Sequence, residues 1–310
     1  MKITYLCYCP RSGSTKFADL LTADSAFVLP EFRSAIWLLQ RFDADTQLRA
    51  GDVSSTLLSD PQLSDNLKLT DSDISAVVDR SKGKTPIDTV KEIVTQWAEK
   101  NGSAQPKSAL IKAGRAVEVI EQSFRIDQSL QLLFLVRDPR AVVRSMTYSS
   151  APRDRSGSTF ARGSMSYAIR MWRRRLGAAM TIGKDFPGRV LTVRFEDLEN
   201  SEAITDAARF IGTTNDAPRL IIADAEKGLH QNVYKEFDAG RNQQWQDQLS
   251  SRSVRHIEVS CREEMARLGY PATKTSVSAG AILQSKLVDL ASTPISTLHR
   301  ARSSAMGRTR

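Results

Sequence analysis

The sequence predicts an α/β domain of three layers, with a central parallel sheet and helices on both faces. Short apolar segments recur at residues 3–8, 26–29, 109–111, 130–136 and 189–195, and segments with apolar residues at helical spacing lie between them. Glycine or proline marks two of the strand-to-helix junctions, at Gly13 and Pro139. Strands that alternate with helices are joined by crossovers, and crossovers are what parallel pairing requires. At 310 residues the chain is one large domain or two small ones and is long enough for a sizeable core. With 41% apolar and 25% charged residues it is excluded from the collagen-like, low-complexity and wholly disordered classes.

Residues 3–8 alternate β-branched and aromatic side chains and break at Cys9-Pro10-Arg11-Ser12-Gly13-Ser14-Thr15. Phe17, Leu20 and Leu21 then fall at helical spacing, so the segment reads as strand, loop, helix. The run 26–29 ends at Pro30-Glu31, and a helix carrying Ile36, Trp37, Leu38 and Leu39 follows. Residues 43–100 are polar and rich in Asp, Ser and Thr, and read as a mostly helical insertion over one face of the sheet. Alternation resumes with a strand at 109–111, a helix over 116–124, a strand at 130–136 and a helix over 141–148. A Ser-, Gly- and Arg-rich loop over 151–163 leads to a helix through Tyr167, Met171 and Leu176, then a strand at 189–195. A closing helix over 249–268 ends at Gly269-Tyr270-Pro271, which sets a domain of 1–271 and a basic tail of 272–310.

The formal net charge of +9 is concentrated. Between Arg137 and Arg175 there are ten arginines and no lysine against Asp138 and Asp154, and residues 274–310 are also basic, so the remainder is mildly acidic. Such a field suits a polyanion or a multiply phosphorylated small molecule. The triplet Arg173-Arg174-Arg175 reads as a solvated helix face.

In an open parallel sheet the ligand belongs at the carboxyl ends of the strands, and the loop Pro10 to Thr15 lies there. Gly13 permits close backbone approach, Ser12, Ser14 and Thr15 add hydroxyls, and the amides that open the following helix favour an anion. The loop is two residues shorter than G-x-x-x-x-G-K-[ST] and has Arg11 near its start in place of a lysine before the Ser/Thr, which disfavours an ordinary NTPase. Taken alone, it is also a plain strand-to-helix turn. A second cluster, Leu135-Val136-Arg137-Asp138-Pro139-Arg140, puts an arginine at the end of a buried strand, with Ser145 two helical turns on. Arg137 and Ser145 can both meet a second phosphate group. Capping by Asp138, with Pro139 at the first helical position, explains those two residues but not Arg137.

These motifs resemble the sulfotransferase family that uses 3′-phosphoadenosine 5′-phosphosulfate (PAPS). Pro10-Arg11-Ser12-Gly13-Ser14-Thr15 is similar to that family's 5′-phosphosulfate loop, and Val136-Arg137-Asp138-Pro139-Arg140 with Ser145 to its 3′-phosphate motif. Val193-Arg194-Phe195-Glu196-Asp197-Leu198 is similar to the family's Tyr-Glu-Asp-Leu strand end, with Phe for Tyr, and Trp245 to Leu249 and Cys261 to Tyr270 follow its closing pattern. The resemblance implies a P-loop NTPase-like sulfotransferase fold, PAPS as sulfuryl donor, PAP as product, no metal and a hydroxylated acceptor. An arginine in the loop points toward the carbohydrate and tyrosylprotein branches, which implies Glu31 as catalytic base and Lys112 beside the transferring sulfate. Late basic residues in relatives suggest Arg241 as a further phosphate ligand. Each of the three also has a plainer reading: a surface carboxylate after Pro30, a strand-end lysine that snorkels, and a surface arginine in a polar loop.

Two other classes compete. A P-loop kinase would need a Walker lysine and a magnesium carboxylate, and neither stands at the expected place. A nucleic-acid-binding protein would use the basic stretch, which lacks interleaved aromatic residues and leaves the loop unexplained. His230, His256 and His299 are scattered, which disfavours metal or histidine-triad chemistry. Three cysteines build no disulfide framework, and Cys7 and Cys9 read as small core residues, so a reducing cytoplasm is expected. No apolar run approaches the roughly 18–20 residues of a membrane span, and no targeting segment is expected. Nothing in these residues singles out a sugar, a lipid, a phenol or a tyrosyl peptide as acceptor, and oligomeric state stays open.

Overall fold

The computed structural model describes residues 1–21, 26–102, 106–148, 164–212 and 240–273, with the backbone alone at 26–27, 148 and 240–241. Five strands, β1 (Lys2–Tyr8), β2 (Ala26–Leu29), β3 (Ser108–Lys112), β4 (Leu130–Val136) and β5 (Val190–Arg194), form one sheet in the order β2-β3-β1-β4-β5. Every neighbouring pair is parallel. The predicted α/β architecture is therefore the one found. All five carboxyl ends lie on one edge, and β1 occupies the place where the chain, having gone outward to β2 and β3, crosses back to β4. That reversal opens a crevice at the end of β1.

β1, β3 and β4 are almost wholly buried, as strands covered on both faces must be. On one face Leu6, Tyr8, Leu110, Leu133, Leu135 and Val193 pack with Phe17, Ala18 and Leu21 of α1 (Ser14–Leu20) and its C-cap, and with Ala207, Ala208 and Ile211 of a later helix. Alternation sends Tyr5 and Cys7 to the opposite face, where the Tyr5 hydroxyl donates to the Ala35 carbonyl and the Cys7 thiol to that of Ala113. Cys7, Cys9 and Cys261 are free and buried, and burial pushes the Cys7 and Cys9 thiols up to about 12.

Between β2 and β3 the described residues form α2 (Ser34–Arg41), α3 (Ala50–Leu58), α4 (Pro61–Asp65), α5 (Asp71–Ser81) and α6 (Pro86–Lys100). The Asp, Ser and Thr content that makes this segment polar is largely capping chemistry. Asp60, Thr70 and Thr85 each accept a first-turn amide, and Pro61 and Pro86 open their helices at the position where a missing N–H costs nothing. Apolar residues at helical spacing, among them Val53, Leu57, Ile74, Val77, Val90, Ile93 and Val94, are buried and give the insertion its own core.

Beyond β3 the helix expected over 116–124 is split into a 3₁₀ turn, Ala116–Glu118, and α7 (Glu121–Ile126). Val119 leaves the helical region at φ −136°, in a stretch of β-branched residues that favour a helix weakly. Glu118 is meanwhile held by Arg174 and Arg175, at 2.8 and 3.0 Å. Among the described residues the remaining helices of this part are α8 (Pro139–Tyr148), α9 (Met165–Asp185), α10 (Ser201–Ile211) and the short α11 (Gly240–Gln243). Arg175 on α9 corrects the reading of its triplet as a solvated face. Its side chain is 4% exposed, and besides Glu118 it donates to the Tyr8 carbonyl at 2.7 Å.

The chain divides into two compact units after Trp245, and every candidate site residue belongs to the first. α12 (Trp245–Gln248) spans the division. In the second unit the expected closing helix is broken at Cys261 into α13 (Ser251–Ser260) and α14 (Arg262–Arg267), because the Cys261 backbone at φ −111°, ψ 16° is no longer helical. Glu258 then accepts the amide and hydroxyl of Thr273 at 3.0 and 2.9 Å. The expected loop 151–163, His230, His299 and the tail from 274 lie outside the described residues.

Candidate active site

The loop after β1 is tight. Arg11 and Gly13 both take positive φ, +71° and +84°, and the Ser12 amide closes on the Cys9 carbonyl at 3.2 Å. Gly13 is required twice over. Its φ suits glycine, and a Cβ there would lie 2.1 Å from Cε2 of Phe195, whose ring fills the space from the end of β5. Ser12 is fully buried and its Oγ finds no hydrogen-bond partner among the described residues. Buried hydroxyls are mostly satisfied, and in this loop a ligand oxygen would supply the missing partner. Ser14 and Thr15, also buried, begin α1, where first-turn amides have no acceptor within the helix.

Cationic groups from three strand ends converge on this loop. The Arg11 Nε donates to Ser145 Oγ at 3.1 Å, so the loop arginine and the serine assigned to the second phosphate are in contact. Arg137, just past β4, donates to the Arg11 carbonyl at 3.1 Å and stacks on Phe195 with 4.6 Å to the ring centroid. Its own carbonyl accepts from Trp172 at 3.0 Å, which fixes the turn into α8. Lys112, the last residue of β3 and 6% exposed, donates to Thr15 Oγ1 at 3.2 Å. Burial, then the neighbouring charge of Arg144, holds the Arg11 guanidinium below its ordinary value. Partly desolvated cations crowded in this way are stabilised by an anion.

Pro139 opens α8, and the Asp138 carboxylate accepts from the Arg140 amide at 2.8 Å and from its guanidinium at 2.7 Å, while Arg140 stacks on Trp245 at 4.1 Å. Arg140 is therefore part of the architecture, as are Arg174 and Arg175, and the charge of the Arg-rich stretch is partly neutralised internally.

Glu31 follows β2 and stands on the same edge. The Tyr8 hydroxyl donates to its Oε1, and Asn66 Nδ2 from the insertion donates to its carbonyl at 2.7 Å. Three residues on, Ser34 gives its amide and hydroxyl to the buried Asp60, at 2.6 and 2.5 Å. The base candidate is thus held from both sides, by β1 and by the insertion. The Arg241 side chain lies outside the described residues. Pro10, Arg11, Ser12, Gly13, Ser14, Thr15, Lys112, Arg137 and Ser145 are brought together.

Sequence reading missed Tyr8, Asn66 and Phe195 as parts of this site. Tyr8 alternates with Leu6 on the face that carries Lys112, a signal available in the sequence, but the partner it reaches depends on strand order. Asn66 and Phe195 meet their partners only through tertiary packing.

Gly13→Ala is expected to cost about 1–3 kcal/mol, from a side chain forced to positive φ and from overlap with Phe195. Thermal unfolding several degrees lower is the expected result, read by calorimetry.

Among the described residues no group of three or more His, Cys, Asp or Glu side chains is arranged to hold a metal ion, and no helix is long and apolar enough to cross a membrane. Residues 6–205 match the family described as the sulfotransferase family. No curated protein sequence matches the chain. Among solved structures, the sulfotransferase domain from the curacin biosynthetic pathway is similar at a TM-score of 0.54 and 15% identity, over 88% of this chain and 98% of that one. A sulfotransferase from Alicyclobacillus acidocaldarius gives 0.42 and 8%, over 83% and 94%. Retinol dehydratase in complex with androsterone and the inactive cofactor PAP gives 0.30 and 12%, over 92% and 79%. The first of these likenesses concerns the fold.

Proposed function

The chain belongs to the sulfotransferase family, and from that premise we propose that it moves a sulfuryl group from PAPS to the hydroxyl of a carbohydrate, lipid or other small acceptor, with Glu31 as base. One observation supports the donor above the rest: the buried, unpartnered Ser12 hydroxyl lies in a loop ringed by Arg11, Arg137 and Lys112. An oxygen-rich anion fits that set of hydroxyls and cations.

In this reading the amides and hydroxyls from Ser12 to Thr15, with Arg11 and Lys112, hold the 5′ phosphosulfate end. Arg137 and Ser145 hold the 3′-phosphate, and Arg241 is a further ligand. Bound PAPS supplies an activated sulfuryl group whose leaving oxygen is part of a phosphate. Arg11 and Lys112 keep positive charge beside that oxygen, and Glu31 accepts the proton of the acceptor hydroxyl. Positioning and electrostatics then supply most of the rate, as in phosphoryl transfer. A basic stretch partly neutralised by Asp138 and Glu118 supports one compact donor over nucleic acid.

The test is sulfur-labelled PAPS offered with an oligosaccharide, a long-chain alcohol, 2-naphthol and a tyrosyl peptide, with and without EDTA. Label is expected on at least one acceptor, unaffected by EDTA. Magnesium-dependent transfer from labelled ATP, with none from PAPS, overturns the reading in favour of a phosphotransferase.

A further inference from the structure

Tyr8 belongs neither to the phosphate loop nor to the roles assigned above, yet its hydroxyl donates to Glu31 Oε1. β3 lies between the strands that carry the two residues, so the tyrosine ring has to pass the end of β3. Gly114, two residues past β3, leaves the room. A Cβ at that position would lie 3.0 Å from the ring's Cε2 and 3.1 Å from the Tyr8 carbonyl oxygen. The ring is 7% exposed and packs in one cluster with Leu6, Phe17 and Leu110. The Tyr8 carbonyl is fixed as well, by the buried Arg175 at 2.7 Å. A tyrosine clamped at ring and backbone has almost no freedom in where its hydroxyl points.

We infer that Tyr8 is a positioning residue for Glu31, aiming the carboxylate and stabilising its ionised form. The inference rests on Glu31 being the base. A hydroxyl that donates to a carboxylate favours the charged state, so the base stays deprotonated to lower pH than it would without its partner. Asn66 and Asp60 hold the neighbouring backbone and Ser34, respectively. Among the described residues, Lys112 ends β3, Arg11 follows β1, Asp60 belongs to the insertion and Arg33 stands two residues after the base. All are unchanged by a substitution at position 8, so a shift in titration reports the hydroxyl.

The test uses Tyr8→Phe in the full chain, which keeps the ring and removes the hydroxyl. The ¹³C carboxyl titration of Glu31, identified by its disappearance in Glu31→Gln, is expected to move its midpoint up by about one pH unit. The acid limb of kcat, measured with labelled PAPS and the best of the four acceptors above, is expected to move upward with it. At the pH optimum kcat is expected to fall about tenfold, while KM for PAPS stays within about twofold. Gly114→Ala keeps the hydroxyl but crowds the ring, and is expected to move the midpoint in the same direction by less. It decides the matter if Tyr8→Phe does not fold. An unmoved midpoint in a folded Tyr8→Phe overturns the inference even where Glu31→Gln abolishes turnover. Native turnover in Glu31→Gln overturns the base itself, and the inference with it.

Discussion

Glu31→Gln is expected to lower turnover by about 10²–10⁴, the usual loss when a general base is removed, while PAP binds as it does to the native chain. The separation of the two effects follows from the geometry. Glutamine has the same shape and can still accept from the Tyr8 hydroxyl, and the Asn66 bond is to the backbone, so the strand end keeps its conformation. What disappears is the ability to take a proton. The phosphate loop follows β1 and the Arg137 turn follows β4, neither of them adjacent to β2 in the sheet; Lys112 ends the adjacent β3, but it is held by Thr15 and not touched by an isosteric change at position 31. Single-turnover transfer from labelled PAPS measures the first quantity and calorimetric titration with PAP the second. Turnover near the native rate removes Glu31 from the mechanism.

Arg137→Ala is expected to weaken PAP by about 10- to 100-fold, the loss of one or two charge-assisted hydrogen bonds to a phosphate. Adenosine 5′-phosphosulfate, which lacks the 3′-phosphate, is expected to weaken by a smaller factor, though not by nothing. Arg137 also supports the Arg11 carbonyl at 3.1 Å and packs on Phe195, the ring that stands against Gly13, so its removal loosens the 5′ loop too. The two ligands titrated against one variant tell the roles apart. Equal weakening of both would make Arg137 a prop for the loop and nothing more.

What could be read from the sequence was whatever is carried by neighbouring residues. The buried strands were legible because apolar runs between helices leave few alternatives, whereas the insertion was legible only as mostly helical, without the caps Asp60, Thr70 and Thr85 that divide it. Ser12, Gly13 and Arg137 could be singled out because each motif is contiguous, and the structure brings the two motifs together through Arg11 and Ser145. The pairings of Tyr8 with Glu31, of Asn66 with the Glu31 carbonyl and of Phe195 with Gly13 were not legible. They depend on strand order and on which loops face each other, and no local pattern encodes that. The burial of Arg175 was not legible for a related reason. A count of charge cannot distinguish an arginine facing a ligand from one such as Arg175, buried on Glu118 and the Tyr8 carbonyl.

The bonds from Asn66 to Glu31 and from Asp60 to Ser34 have a consequence for redesign. A segment such as 34–100, inserted between two strands at the working edge, is the natural cassette to exchange when a new acceptor is wanted. Here the cassette is also a mount for Glu31, the proposed base. A transplanted segment lacking counterparts of Asn66 and Asp60 would arrive with its own pocket and an unanchored Glu31. Libraries that vary exposed positions of α3 and α5 while retaining those two residues keep the anchor and change only what surrounds it.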